Sequence, residues 1–154
     1  MIKKSAGILL FRRKSKTLEF FLVHPGGPFW KNKDIGAWSV PKGEFTDEEN
    51  ALDAAKRELE EEVGISCKGP FLELTPIKQK GGKLVYAWAV ESDIDPDSIR
   101  SNTFQMEWPP KSGQLKNFPE IDKGQWFLAD EAKQKINLFQ SPFIDELILK
   151  LNAG

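Results

Sequence analysis

Glu58, Glu61 and Glu62 stand at i, i+3 and i+4 if their segment is helical, and side chains at that spacing meet on one patch of a helix. Three like charges on one patch repel and cost stability unless something cancels them. A divalent cation cancels them well, because Mg²⁺ and Mn²⁺ prefer hard carboxylate oxygens. Arg57 neighbours the cluster and can orient one carboxylate through a bidentate contact. An acidic run is also a common solvated helix face, so its meaning turns on what surrounds it.

The helix that must position these residues carries a start and a stop signal. Thr46 with Glu49 three residues on reads as a capping box, opening a helix over about Asp47 to Val63. Gly64 supplies the left-handed residue that ends it. At about 100° per residue, Leu52, Ala55, Leu59 and Val63 share an apolar stripe suited to a sheet. Asp53, Lys56 and Glu60 fall on a solvated flank, and the three glutamates lie on the other.

Before this helix, Gly7 to Phe11 and Leu18 to Val23 read as strands joined by a turn at Ser15-Lys16-Thr17. His24 to Ala37 is a long Gly- and Pro-rich loop, a kind that often carries function. Trp38 to Val40 reads as a short strand stopped by Pro41. After the helix, Phe71 to Lys78 and Lys83 to Glu91 form a hairpin turning at Lys80-Gly81-Gly82. Ser92 to Lys123 reads as irregular, and Gln125 to Leu128 as a strand. Ala129 to Ile136 and Pro142 to Leu151 read as helices, the second with Phe143, Ile144, Leu147, Ile148 and Leu151 at helical spacing. The expected architecture is one α/β domain over residues 1–154, a sandwich with a mixed sheet between helices.

The net charge of -1 gives no global field to attract nucleic acid or acidic membranes. A polyanionic ligand therefore needs local positive charge or a metal ion. The single cysteine, Cys67, cannot form an internal disulfide, which suits a reducing, cytoplasmic setting. It reads as a packed small side chain and not as a nucleophile. No stretch approaches the roughly 20 apolar residues of a membrane helix.

The wider pattern around the glutamates resembles the Nudix box, Gly-x5-Glu-x7-Arg-Glu-U-x-Glu-Glu-x-Gly-U, with U a bulky aliphatic residue. Gly43, Glu49, Arg57, Glu58, Leu59, Glu61, Glu62, Gly64 and Ile65 fill every specified position. At ordinary residue frequencies the chance of this is on the order of 10⁻¹⁰ per starting position. The resemblance implies a Mg²⁺- or Mn²⁺-dependent hydrolase of a nucleoside diphosphate linked to another group. Carried onto this chain, it makes Glu61 and Glu62 the main metal ligands, and Glu58 a further ligand or the general base. Arg57 would hold a glutamate in place, Glu49 would support the helix start, and a backbone carbonyl at Lys42 or Gly43 would complete the metal site. A further carboxylate before the Trp126-Phe127 strand is expected at Glu120, with Glu107 and Asp122 as alternatives. Such a site polarises the phosphoryl group, activates a water and needs neither a cysteine nor a serine nucleophile.

The lead-in Pro41-Lys42-Gly43 resembles the branch of dinucleoside polyphosphate and diphosphoinositol polyphosphate hydrolases, where Lys42 would contact a phosphate. Aromatic residues mixed with lysines suit stacking on a base beside a phosphate chain. On that ground Trp30, Phe104 and Trp108 are candidate substrate contacts, in loops that also carry Phe29, Lys31, Lys33, Lys111 and Lys116. Tyr86 offers no clear counterpart to the tyrosine that some dinucleoside tetraphosphate hydrolases place after the box. His24, the only histidine, reads as structural. The expected substrate is a small nucleotide, a dinucleoside polyphosphate or nucleoside triphosphate. Removal of pyrophosphate from an RNA 5′ end and a non-catalytic nucleotide sensor are the alternatives. Low net charge speaks against the first and the intact glutamates against the second.

Overall fold

The computed structural model describes residues 2–153. Its centre is β1 (Lys4–Lys14), an almost uninterrupted run of buried residues. A strand covered on both faces must be apolar at successive positions, not at alternate ones. Ala6, Ile8 and Leu10 point to one face, while Leu9 and Phe11 point to the other. β2 (Thr17–Pro25) pairs antiparallel with β1, and β9 (Ile121–Leu128) closes that edge against β2. On the other side β6 (Leu84–Glu91) runs parallel to β1, the one parallel strand pairing among the described residues. β3 (Lys42–Phe45) lies along the start of β1, and the two-residue strands β4 (Leu72–Glu73) and β5 (Ile77–Lys78) flank β6.

Helices cover both faces. α1 (Ala51–Val63) buries Ala54, Ala55, Leu59 and Val63 against Ile8, Leu10, Phe21 and Val23. α2 (Ala129–Lys135) and α3 (Ser141–Ala153) cover the opposite face through Ala132, Phe143, Ile144 and Leu147. The expected mixed sheet between helices is therefore what the chain forms. No helix is long and apolar enough to cross a membrane among the described residues.

Several expected boundaries move. α1 opens at Ala51, not near Asp47, because Asn50 caps it: its Oδ1 accepts from Leu52 N at 2.9 Å and Asp53 N at 3.3 Å. Thr46 instead closes a separate turn, accepting from Glu49 N on its carbonyl. The carboxylate of Glu49 is engaged by Arg57, so it does not reach back to Thr46. Gly64 ends the helix as expected, at φ 74° with its N–H donating to Glu60 O. Leu52 is only partly buried, and Lys56 is not fully solvated, since its ammonium lies 4.6 Å above the Phe71 ring.

Trp38 to Val40 contributes only isolated bridges, Ser39 to Val23 and Trp38 to Ile136. The strand forms one step later, from Lys42, where the N–H groups lost at Pro41 are available again. The irregular reading of Ser92 to Lys123 also fails. β7 (Thr103–Glu107) and β8 (Leu115–Pro119) form a separate hairpin with Phe104 opposite Phe118. Alternation over five residues is a faint signal, and Pro109 and Pro110 in the connecting turn mask it. β9 starts at Ile121 and not Gln125; its polar residues Asp122, Lys123 and Gln125 suit a sheet edge.

Candidate active site

α1 and β3 bring the acidic cluster together. Because β3 lies along β1, Lys42 and Gly43 pass over the glutamate flank of α1. A Cβ on Gly43 would fall 2.1 Å from the carboxyl carbon of Glu58, so only glycine lets this carboxylate lie against the strand. One turn further along, Glu62 Oε2 accepts from Lys42 N at 3.0 Å. One box carboxylate is thus hydrogen-bonded to the backbone of β3, and another lies against it.

Arg57 organises the rest. Its Nε and Nη2 grip Glu49 in a two-point contact of 2.8 and 2.9 Å. Nη1 donates to Glu58 Oε1 at 2.9 Å and to Glu61 Oε2 at 3.1 Å. Hydrogen bonding to Glu49 above all, joined by Glu58 and Glu61, raises the guanidinium further above its ordinary value. The same contact lowers Glu49. Glu58 and Glu62 behave oppositely. Burial raises Glu58, with Arg57 pulling back and Glu61 and Glu120 adding to the rise. Burial pushes Glu62 up to about 8, opposed by the Lys42 N–H and reinforced by Glu58 and Glu120. Burial, helped by Lys83, pushes the Lys42 ammonium down against the pull of Glu62.

Glu120 faces this cluster from across a cleft of about 190 Å³, lined by Val23, Pro25, Ser39, Val40, Lys42, Glu62, Glu120 and Ile121. A relay of main-chain hydrogen bonds fixes its position. Asn102 N donates to Glu61 O at 3.2 Å, Glu120 N to Asn102 O at 2.8 Å, and Gly26 N to Glu120 O at 2.8 Å. Arg100 N adds a bond of 2.9 Å to Val63 O at the end of α1. The two alternatives to Glu120 lie elsewhere. Glu107 accepts from Lys111 N at 2.7 Å in the tip of the β7–β8 hairpin. Asp122 contacts His24 Nδ1 at 2.8 Å.

A NUDIX domain model matches residues 1–147. The chain belongs to the NUDIX family. It is similar to the rat (Rattus norvegicus) asymmetrical bis(5′-nucleosyl)-tetraphosphatase, 31% identical over 148 residues that cover 83% of this chain and 97% of the rat protein. Among solved structures, a C. elegans Ap4A hydrolase binary complex superposes with a TM-score of 0.69 at 20% identity, covering 99% of this chain and all of that one. The NUDIX domain of Shewanella oneidensis NrtR complexed with ADP ribose gives 0.64 at 16% identity, over 98% of this chain and 89% of that one.

NUDIX membership raises the question of an ion. Among the described residues, no three His, Cys, Asp or Glu side chains form a ready cage for one. Arg57 explains this: it holds Glu58 and Glu61 on its own Nη1 while Glu62 turns to the strand. The donors nevertheless fit Mg²⁺ or Mn²⁺ in kind. They are hard oxygens, and burial disfavours the ionised forms of Glu58 and Glu62 until positive charge arrives.

The expected substrate contacts separate. Lys42 lines the NUDIX cleft. Phe104 packs over Gly27, where a Cβ would sit 2.9 Å from the ring. Trp108 meets Phe29 edge to face at 5.6 Å and borders a hollow of about 470 Å³ beside Pro119, next to Glu120. Trp30 does not line this hollow or the cleft; it is 40% exposed and sits under the Lys33 ammonium. The sequence reading missed Pro25, Ser39 and Ile121 as cleft walls. They carry no chemistry-bearing side chain except the Ser39 hydroxyl, so only the fold could reveal them.

Proposed function

We propose that this Nudix hydrolase cleaves a pyrophosphate bond within a dinucleoside polyphosphate, with Mg²⁺ or Mn²⁺ as its cofactor, in the cytoplasm. The observation that carries this reading is the cleft in which Glu62, Lys42 and Glu120 face one another at the end of a complete box. The similarity to the rat tetraphosphatase along nearly its whole length supports the substrate class. Glu58, Glu61 and Glu62 would hold the ion, with the Gly43 backbone beside them. When bound, it supplies charge neutralisation on the phosphoryl oxygens and activation of water.

The chain's own residues do the rest. Arg57 keeps Glu58 and Glu61 oriented through Nη1. Lys42 brings positive charge to the phosphate chain. Glu120 is exposed and lines the cleft, so its carboxylate is placed to accept the proton of the attacking water. Phe104 and Trp108 border the space where a base would stack.

The test is nucleotide release from a panel of dinucleoside polyphosphates, nucleoside triphosphates, ADP-ribose, diphosphoinositol phosphates and triphosphorylated RNA, with and without metal. Metal-dependent release from the dinucleoside polyphosphates, abolished by Glu61→Gln in a folded protein, is the expected result. Activity within a few-fold of the parent in Glu61→Gln would remove the metal-site assignment. Glu120→Gln should slow turnover on the order of 10²-fold, the low end of what a general base contributes; an unchanged rate would take the base role from it.

A further inference from the structure

His24 stands in β2 between Val23 and Pro25, both of which line the catalytic cleft, yet its side chain leaves by the opposite face of the sheet. There it joins a second and larger pocket, of about 460 Å³, beneath the 31–34 loop and beside α2. A bulge makes this possible. His24 pairs with Lys123 and Pro25 with Ile121, so Asp122 is the extra residue of β9. A bulge re-aims side chains, and here it turns Asp122 onto His24 while Ile121 stays with the catalytic cleft.

The pocket is built before any ligand arrives. His24 is 3% exposed and bridges Asp122 Oδ1 at 2.8 Å and the Lys33 carbonyl at 2.6 Å, clamping the loop to the strand. The loop is further held by Lys33 N to Trp30 O at 3.0 Å and Gly36 N to Gln134 O at 3.1 Å. Two ammonium groups are set over indole faces, Lys33 at 5.1 Å from Trp30 and Lys123 at 5.4 Å from Trp38.

Its charges do not cancel. Asp34 is paired with Lys135, and Asp122 meets the His24 ring. Lys31, Lys33 and Lys123 have no carboxylate oxygen within 4 Å among the described residues, and the lining sets four lysines, Lys135 included, against the three acids Asp34, Asp122 and Glu131. This is a local positive excess in a chain of net charge -1. Like charges are gathered at a cost unless a counter-ion relieves them. The cations are all lysines, point charges that suit a compact multivalent anion such as phosphate, whereas a planar carboxylate is better met by the arginine fork.

We propose that this pocket is a second anion site, separate from the catalytic cleft, that takes a phosphate-type dianion through Lys31, Lys33 and Lys123. The anion is either free inorganic phosphate or pyrophosphate, or the phosphate end of a nucleotide. The site stands on its own geometry and does not require the hydrolase reading.

The experiment is titration of the ¹⁵N-labelled full chain with inorganic pyrophosphate, and separately with ADP, in metal-free buffer, following amide shifts. Three proteins are compared: the parent, Glu62→Gln, and the double variant Lys33→Ala/Lys123→Ala. Saturable shifts centred on Lys31 to Asp34 and Lys123 are expected, equal in the parent and Glu62→Gln and weakened at least tenfold in the double variant. Equal affinity for the two ligands identifies a free phosphate site; tighter ADP binding identifies a nucleotide end. A double variant that retains the parental spectrum but binds as before overturns the proposal. So does the absence of saturation, or shifts centred on Lys42 to Glu62. In none of these outcomes is turnover the readout, so failure here leaves the hydrolase reading standing.

Discussion

One bank of the proposed catalytic cleft comes from a single stretch of chain, Lys42 to Glu62, and the other from segments far apart, Pro25 and Glu120, with Trp108 in the adjoining hollow. On the first bank the box carboxylates Glu49, Glu58, Glu61 and Glu62 are each tied within Lys42 to Glu62, through Arg57 or the Lys42 N–H. On the second, main-chain bonds set the position of Glu120, whose side chain is exposed. This contrast divides the labour. The locally encoded bank must hold atoms to fractions of an ångström, because chemistry tolerates little displacement. The assembled bank, apart from Glu120 in its proposed role, has only to offer surface to a ligand.

Three experiments break or sharpen that division. Gly43→Ala should have the largest effect. Its Cβ would displace the Glu58 carboxylate, and a displacement of about 1 Å costs on the order of 10²-fold in rate. The loss should appear in kcat, with melting temperature little changed, as steady-state kinetics and a thermal scan would show. Trp108→Ala should come next, with KM raised roughly tenfold, the scale of one lost stacking contact, and kcat nearly intact. If Trp108→Ala lowered kcat as far as Gly43→Ala, the two banks would not differ in role.

The smallest effect concerns stability. Burial holds the Glu62 carboxyl up at about 8, against an ordinary value of 4.5. Between those values the folded chain keeps a proton that the unfolded chain releases, so stability falls as pH rises through this window. Metal-free protein should therefore melt at a lower temperature at pH 8.5 than at pH values near the ordinary carboxylate range. Glu62→Gln should flatten that dependence, and added Mg²⁺ or Mn²⁺ should restore stability to the parent at high pH. A melting temperature that did not respond to pH would place Glu62 in a solvated setting.

The same contrast explains what could be read in advance. The spacing of Glu58, Glu61 and Glu62 beside Arg57 is visible because a helix turns sequence distance directly into spatial distance. α1 and α3 are likewise legible from their apolar periodicity, and β1 from its unbroken apolar run. Thr46 misled because its capping signal was genuine chemistry overruled by a stronger partner: Arg57 claims Glu49, and Asn50 takes the cap. Glu120 could be anticipated only by resemblance, since nothing local distinguishes it from Glu107 or Asp122. Its position depends on a bulge at Asp122 and on bonds to Asn102 and Gly26. The β7–β8 hairpin and the lysine pocket were out of reach for a related reason. The hairpin's alternation is short and masked by Pro109 and Pro110, and the pocket joins His24 and the stretch Lys31 to Asp34 with Lys123 and Lys135 far along the chain, which leaves no periodic trace.

The relay from Glu61 through Asn102 and Glu120 to Gly26 has a mechanical consequence. It straps the end of α1 to the edge of the sheet with peptide groups alone, so the gap between the two banks is a fixed span and not a hinge. Such a strap yields only when the sheet edge itself lets go, and the amide hydrogens of Asn102, Glu120 and Gly26 should then exchange with solvent at rates near those of the protein's interior strands. On the proposed function a substrate would enter a cleft whose gauge is preset, and accommodation to different ligands would fall to Trp108 and the Phe29 ring against it, in the adjoining hollow.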